Sequence, residues 1–149
     1  MQFDKDKVNE MTTGSIPLAK FVGAEVIEME RGYVKMAMPF EQNVNHIGIM
    51  YAGSIFTLGE LPGGALFFSA FDPTQCYPIV TEMSVKFLKP IKTAATVECR
   101  ISDEEIERVK REVAENGKSV YILEQEIKDE SGEICAITTG RYQARAHGR

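Results

Sequence analysis

Between Gln42 and Phe71 run 30 residues that carry a single charged side chain, Glu60. Charged residues make up 26% of the whole chain, so roughly eight would be expected in a window of this length. The window is long enough to cross a bilayer, which takes roughly 20 apolar residues. It also holds Glu60 near its middle, Pro62, five glycines (Gly48, Gly53, Gly59, Gly63 and Gly64) and the polar Asn43, Asn45 and His46. Those residues argue against a membrane span. A helix wrapped on most sides by protein accounts for the same pattern. Asn and Gly mark Asn43–Met50 as a loop, and Tyr51–Phe71, apolar on nearly every face, is predicted as a buried helix. Pro62 is expected to bend or interrupt it near Leu58–Leu61, because proline removes an N–H and clashes with the preceding turn.

The flanking segments are predicted to be mostly strands. Residues 4–12 are a polar helix candidate, and Ile16–Phe21 a second short one. Ala24–Glu30 and Tyr33–Pro39 flank Arg31-Gly32 as a hairpin. Ile79–Lys92 is a strand in which Met83, Val85 and Phe87 alternate with Glu82, Ser84 and Lys86, and Pro90 ends it or marks an edge. Ala94–Ile101 is another strand. Ser102 and Glu105 form a capping box that opens a surface helix with the inner stripe Ile106, Val109 and Val113. Asn116-Gly117 stops that helix. Ser119–Lys128 and Glu133–Arg145 are long strands joined by a turn at Asp129–Gly132. Six strands can curl around one buried helix, so the expected fold is α+β, an antiparallel sheet of about six strands wrapped around Tyr51–Phe71.

The 149 residues fit one domain, residues 1–149, of ordinary globular composition. With 22 acidic and 17 basic side chains the formal net charge is −5, which excludes a generally basic nucleic-acid coat. The opening residues MQFDKDKVNEM lack the apolar core of a secretory signal. Cys76, Cys99 and Cys135 are odd in number and far apart, so no disulfide framework is expected and the setting is predicted to be cytoplasmic. Cys99 and Cys135 fall in alternating segments as core thiols. Two histidines, with no CxxC or HExxH pattern, give no reason to expect a metal site.

Glu60 is where chemistry is expected. A buried carboxylate is costly unless paired or functional. Residues seven apart on a helix share a face, about 10 Å along the axis, so Gly53, Thr57, Glu60 and Gly64 form one stripe. At its upper end the helix N-terminus offers free N–H groups and a dipole that favours developing negative charge. Small residues there, Ala52 and Gly53, leave room for a substrate oxygen. An oxyanion site and a carboxylate on one cleft suit attack on an acyl carbonyl. The competing expectation is that a polar neighbour satisfies Glu60 and that the glycines serve close packing.

The run Asn45-His46-Ile47-Gly48-Ile49-Met50-Tyr51-Ala52-Gly53, followed by Glu60 seven residues after Gly53, resembles the signature of hotdog-fold acyl-CoA thioesterases, including phenylacetyl- and hydroxybenzoyl-CoA thioesterases. That family typically reads N/Q-x-x-G-x-x-H-G-G and then an acid. Ile16-Pro17-Leu18-Ala19-Lys20-Phe21-Val22-Gly23 is similar to the family's opening, and Ser84-Val85-Lys86-Phe87-Leu88-Lys89-Pro90 to its strand after the helix. The resemblance implies Glu60 as nucleophile or general base, the N–H groups of Ala52 and Gly53 as the oxyanion site, and Asn45 as an amide that places substrate or water. Gly64 falls where some members carry a hydroxyl residue near the attacking water. Tyr51 stands where the motif usually has His, Ala52 replaces the first Gly of the pair, and Pro62 after Glu60 is unusual. The family's sites lie at dimer interfaces, which implies a homo-oligomer, a dimer or a dimer of dimers, acting on an acyl-CoA or similar acyl thioester. Coenzyme A would be part of the substrate, and no separate cofactor is implied.

His46, Tyr51, Thr57, Gly64, Lys86 and Lys89 complete the candidate substrate contacts. Lys86 and Lys89, with Arg141 and Arg145, could meet the phosphates of coenzyme A, or be outward-facing strand residues. Arg108, Lys110 and Arg111 are expected to be a solvated face. His46 precedes Glu60 by 14 residues, a spacing similar to that of hotdog dehydratases of hydroxyacyl thioesters, although the proline-rich turns of those enzymes are missing. It is otherwise a solvated loop histidine. The expected function is hydrolysis of an acyl thioester. The alternatives are a hotdog dehydratase or isomerase, which needs His46 beside Glu60, and a non-catalytic acyl-ligand-binding domain.

Overall fold

The computed structural model describes residues 4–148. Two short helices come first, α1 (Lys5–Met11) and α2 (Pro17–Val22), followed by the hairpin of β1 (Glu25–Glu30) and β2 (Tyr33–Met38). A single 3-10 turn, Glu41–Asn43, leads through a loop to α3 (Ala52–Ala70). Then come β3 (Cys76–Phe87), β4 (Ala95–Arg100), α4 (Asp103–Asn116), β5 (Lys118–Asp129) and β6 (Ile134–Ala146). The strands form one sheet in the order β1-β2-β4-β5-β6-β3, antiparallel at every pairing. This is the expected antiparallel sheet around a long helix.

Alternation explains the sheet's two faces. Val34, Met36 and Met38 pair with Cys99, Val97 and Ala95, and all six are buried. On β5, Tyr121, Leu123, Gln125 and Ile127 share the inner phase and are buried, as are Ala136, Thr138, Tyr142 and Ala144 on β6. α3 packs on this inner face. Ser102 caps α4 by accepting from the Glu105 N–H at 3.1 Å. The return half of the expected box is not made, because the Glu105 carboxylate binds Arg108 instead. Ile106, Val109 and Val113 are buried as the stripe predicts. Gly117 ends α4 with φ 80°, a left-handed conformation that glycine adopts without strain.

Three expectations change. α3 is one helix through Pro62, so of the bend or interruption expected there the interruption is not seen. β3 runs Cys76–Phe87, starting and ending earlier than Ile79–Lys92. It tolerates Pro78 because it is an edge strand and need not donate a hydrogen bond on its free side. Finally, α3 is not enclosed all round. Gly53 and Phe56 are exposed, and Thr57, Glu60, Gly64 and Phe68 are only half-buried, so one stripe of the helix is left open.

Candidate active site

The open stripe begins where the chain enters α3. Asn45 organises the approach loop: its Oδ1 accepts from the Ile47 N–H at 2.9 Å and the Ile49 N–H at 3.2 Å, and its own N–H donates to the Ile49 carbonyl at 2.7 Å. Among the described residues its side-chain Nδ2 has no acceptor. Beneath it, buried Asn43 donates Nδ2 to the Val22 and Pro39 carbonyls, both at 2.8 Å, which ties the loop to α2 and to the end of β2. The Tyr51 N–H donates to the Asn43 carbonyl at 2.7 Å, and the Met50 N–H to the Ile91 carbonyl at 2.8 Å. Asn43 was not among the sequence candidates. An Asn in a stretch with Gln42, Asn45 and His46 reads equally well as a loop residue.

The N-terminus of α3 is exposed. Tyr51 occupies the N-cap without a side-chain cap bond. Among the described residues no acceptor meets the N–H groups of Ala52 or Gly53, as expected for the first turn of a helix. The Tyr51 ring lies against Gly53 so closely that a Cβ there would come within 2.6 Å of the ring. A groove of about 550 Å³ opens beside this turn. Asn45, His46, Tyr51, Gly53 and Thr57 line it, with Leu18, Phe21, Val22 and Val44 supplying apolar wall. The structure thus brings five of the ten candidates to one groove, and Ala52 adjoins it. His46 is exposed there. Thr57 donates its hydroxyl to the Gly53 carbonyl at 2.8 Å.

Glu60 lies one turn beyond Thr57 on the same stripe. Among the described residues its carboxylate has no hydrogen-bond or ion-pair partner, and no bond joins it to His46. Partial burial raises its pKa above the ordinary glutamate value, since desolvation penalises the charged form. Gly64, one turn further, faces open space: a Cβ there would meet nothing within 4 Å. Gly59 and Gly63 differ. Added Cβ atoms would stand 2.5 Å from Thr138 and 2.3 Å from the Tyr142 ring, so these two glycines let the helix backbone rest on β6. Close packing explains them, and it does not explain Gly64.

The cations lie elsewhere. Val85 pairs with Thr138 on the inner face, and Lys86, the next residue, pairs with Ile137 on the outer face. Lys89 is ion-paired with Glu133. Arg141 alternates with Gly140 and Tyr142 and also faces outward. Among the described residues no three His, Cys, Asp or Glu side chains converge as a metal site would, and no helix is long and apolar enough to cross a membrane.

Two residues outside the candidate set touch the Glu60 turn. Gln125 donates Nε2 to the Gly59 carbonyl at 2.8 Å, and the Tyr142 hydroxyl donates to the Glu60 carbonyl at 3.4 Å. A polar residue in the apolar phase between Leu123 and Ile127 was the visible signal for Gln125.

Residues 5–146 match the family described as "Putative thioesterase (yiiD_Cterm)". A Sulfurisphaera tokodaii protein described as a "Putative esterase" is 27% identical over 136 residues, 91% of this chain and 92% of its own length. A solved structure from Pseudomonas aeruginosa, of a protein of unknown function described as a probable thioesterase, is 42% identical. It superposes with a TM-score of 0.93 and covers 99% of both chains. A Streptococcus pneumoniae structure described as a hypothetical thioesterase with coenzyme A shares the fold at 16% identity. Its TM-score is 0.65, over 87% of this chain and 91% of its own.

Proposed function

The chain belongs to the yiiD C-terminal thioesterase family, within the hotdog thioesterase superfamily, and from that premise we propose that it hydrolyses an acyl-CoA thioester with Glu60 as the catalytic carboxylate. The observation that carries this reading is a half-buried carboxylate without a partner among the described residues, on the same helix stripe as exposed, unsatisfied N–H groups. A carboxylate paired for structure would have a cation or donor beside it. This one is left for a ligand.

The acyl carbonyl is polarised by the N–H groups of Ala52 and Gly53, which also hold the oxyanion that forms on attack. Ionised Glu60 either takes a proton from water as the water adds to the carbonyl carbon, or adds itself to form an anhydride that water then opens. In both courses the C–S bond breaks, the coenzyme A thiolate leaves and is protonated, and a carboxylate is released. In this reading the Nδ2 of Asn45 orients substrate or water. The apolar side of the groove, Leu18, Phe21 and Val44, suits the acyl chain or the pantetheine arm. That a Streptococcus pneumoniae relative of the fold was solved with coenzyme A supports coenzyme A as the leaving thiol.

A second copy of the chain would complete the site. The free edge of β3 leaves Val80, Phe87 and the following Leu88 40–53% exposed, and Phe56 on the open stripe is 42% exposed. Covering both would dry the Glu60 stripe and form the wall that the single chain lacks. Cys76, Cys99 and Cys135 are all unpaired, which suits the cytoplasm as the proposed setting.

The test is release of free thiol from a panel of acyl-CoAs by wild type, Glu60→Ala and His46→Ala. Release by wild type that is lost in Glu60→Ala supports the reading. Release that survives Glu60→Ala contradicts it. Binding without cleavage would make the protein an acyl-ligand module, and activity that needs His46 but releases no thiol would make it a dehydratase.

A further inference from the structure

Pro62 has no N–H for the Leu58 carbonyl, so the turn between Leu58 and Pro62 lacks one of its own helix bonds. Glu60 sits in that turn. The next two carbonyls, those of Gly59 and Glu60, are reached from the sheet by Gln125 and Tyr142. Gln125 is 2% exposed and also donates to the Thr138 hydroxyl at 3.2 Å. Its own Oε1 is buried with no partner among the described residues. An amide in an apolar phase with half its polar capacity unmet is a costly choice for a core position. A leucine would fill the same phase without that cost. What leucine could not do is donate to the helix.

We propose that Gln125 is a positioning residue for Glu60: it holds from the sheet the turn of α3 that Pro62 has loosened. This rests on the reading of Glu60 as the catalytic carboxylate. Gly59 makes the bond possible, since any larger residue there would push the helix off Thr138 and carry its carbonyl out of reach of Nε2. Gln125 does not touch the groove, so its effect falls on the placement of Glu60 and not on the binding of substrate. Misplacement of a reacting group by about 1 Å can cost on the order of 100-fold in rate.

The experiment is a two-by-two set of wild type, Gln125→Leu, Pro62→Ala and the double variant. It reads kcat and KM for thiol release from an acyl-CoA that wild type cleaves. Gln125→Leu is expected to lower kcat about 10- to 100-fold with KM changed less than about twofold. Pro62→Ala restores the missing N–H, so in its background the loss from Gln125→Leu should shrink to a few-fold. An unchanged kcat in Gln125→Leu, or a loss confined to KM, overturns the proposal. An equal kcat loss in both backgrounds overturns the link to Pro62, and with it the proposal as stated. Should Gln125→Leu not fold, Gln125→Met, which also lacks a donor, carries the same comparison. Glu60→Ala run alongside separates the two readings. If it is inactive while Gln125→Leu is fully active, only the positioning role falls. If Glu60→Ala is fully active, the catalytic assignment falls with it.

Discussion

The two long helices treat their carboxylates in opposite ways. On α4, Arg108 forks between Glu105 and Glu112, with Nη2 to Glu105 Oε1 and Nη1 to Glu112 Oε1 each at 3.0 Å. The Ser119 hydroxyl adds a bond to Glu112 at 2.7 Å. The pKa of Glu105 is held below its ordinary value by its bonds to Arg108, and that of Glu112 by the Ser119 hydroxyl and then Arg108. On α3, Glu60 has no such partner and burial moves its pKa the other way. α4 pairs Glu105, Glu107 and Glu112 at the surface, where charges need least help. α3 leaves unsatisfied the one charge that is costly to bury. Other acids without a side-chain partner among the described residues, such as Glu104 and Glu115 on α4, are exposed to water, whereas Glu60 is half-buried; that difference is what supports the proposal that a ligand meets Glu60.

The largest test of this contrast exchanges function for structure. Glu60→Ala should lower thiol release about 10²- to 10⁴-fold while circular dichroism shows α3 intact. Arg108→Ala should leave thiol release within about twofold. A large loss from Arg108→Ala would mean that the α4 network also serves the chemistry, and the contrast would fail.

Next in size is a comparison within α3. Gly63→Ala meets the Tyr142 ring and should lower unfolding stability by about 1–3 kcal/mol in urea titrations. Gly64→Ala meets nothing within 4 Å and should raise stability by up to about 1 kcal/mol through helix propensity alone. Equal effects at the two positions would show that the stripe is not open as described. In the same titrations Arg108→Ala should cost about 1 kcal/mol, because its partly exposed pairs are screened by water.

The smallest effect concerns stability against pH. The folded-state pKa of Glu60 is raised above its unfolded value, so folding favours the protonated form. That contribution is complete below the unfolded pKa and is lost as pH rises through the folded one. Glu60→Gln cannot ionise and escapes the loss. Its melting temperature should therefore exceed that of wild type at neutral pH, and the gap should close as pH falls through the raised pKa toward the ordinary carboxylate range. A gap independent of pH would show that burial does not perturb Glu60.

Much of this was legible in the sequence because it depends on local period. Alternation placed five of the six strands within a few residues, the capping signal placed α4, and the uncharged window placed α3. β3 was misplaced at both ends because an edge strand needs little alternation and admits Pro78. Helical spacing put Gly53, Thr57, Glu60 and Gly64 on one stripe, and these are the residues left open, but the exposure of Phe56 beside them was hidden because it looks like a core residue. The spacing from Asn45 to Glu60 was readable, and the groove gathers Asn45, Tyr51 and Gly53 of that motif, with Glu60 one turn beyond the lining residue Thr57. The phase of Lys86 was equally readable: it alternates with Met83 and Val85, which directs it away from the helix. Gln125 could be recognised as a polar residue in an apolar phase, but its partner, the Gly59 carbonyl, is 66 residues away in the chain and no local pattern joins them.

The pH dependence of kcat/KM for thiol release tests the role of Glu60 most directly. If Glu60 acts ionised, activity falls on the acid side with an apparent pKa above the ordinary glutamate value of about 4.3, and the residual activity of Glu60→Gln shows no such limb. An acid limb at the ordinary carboxylate value, or one that persists unchanged in Glu60→Gln, would contradict the assignment.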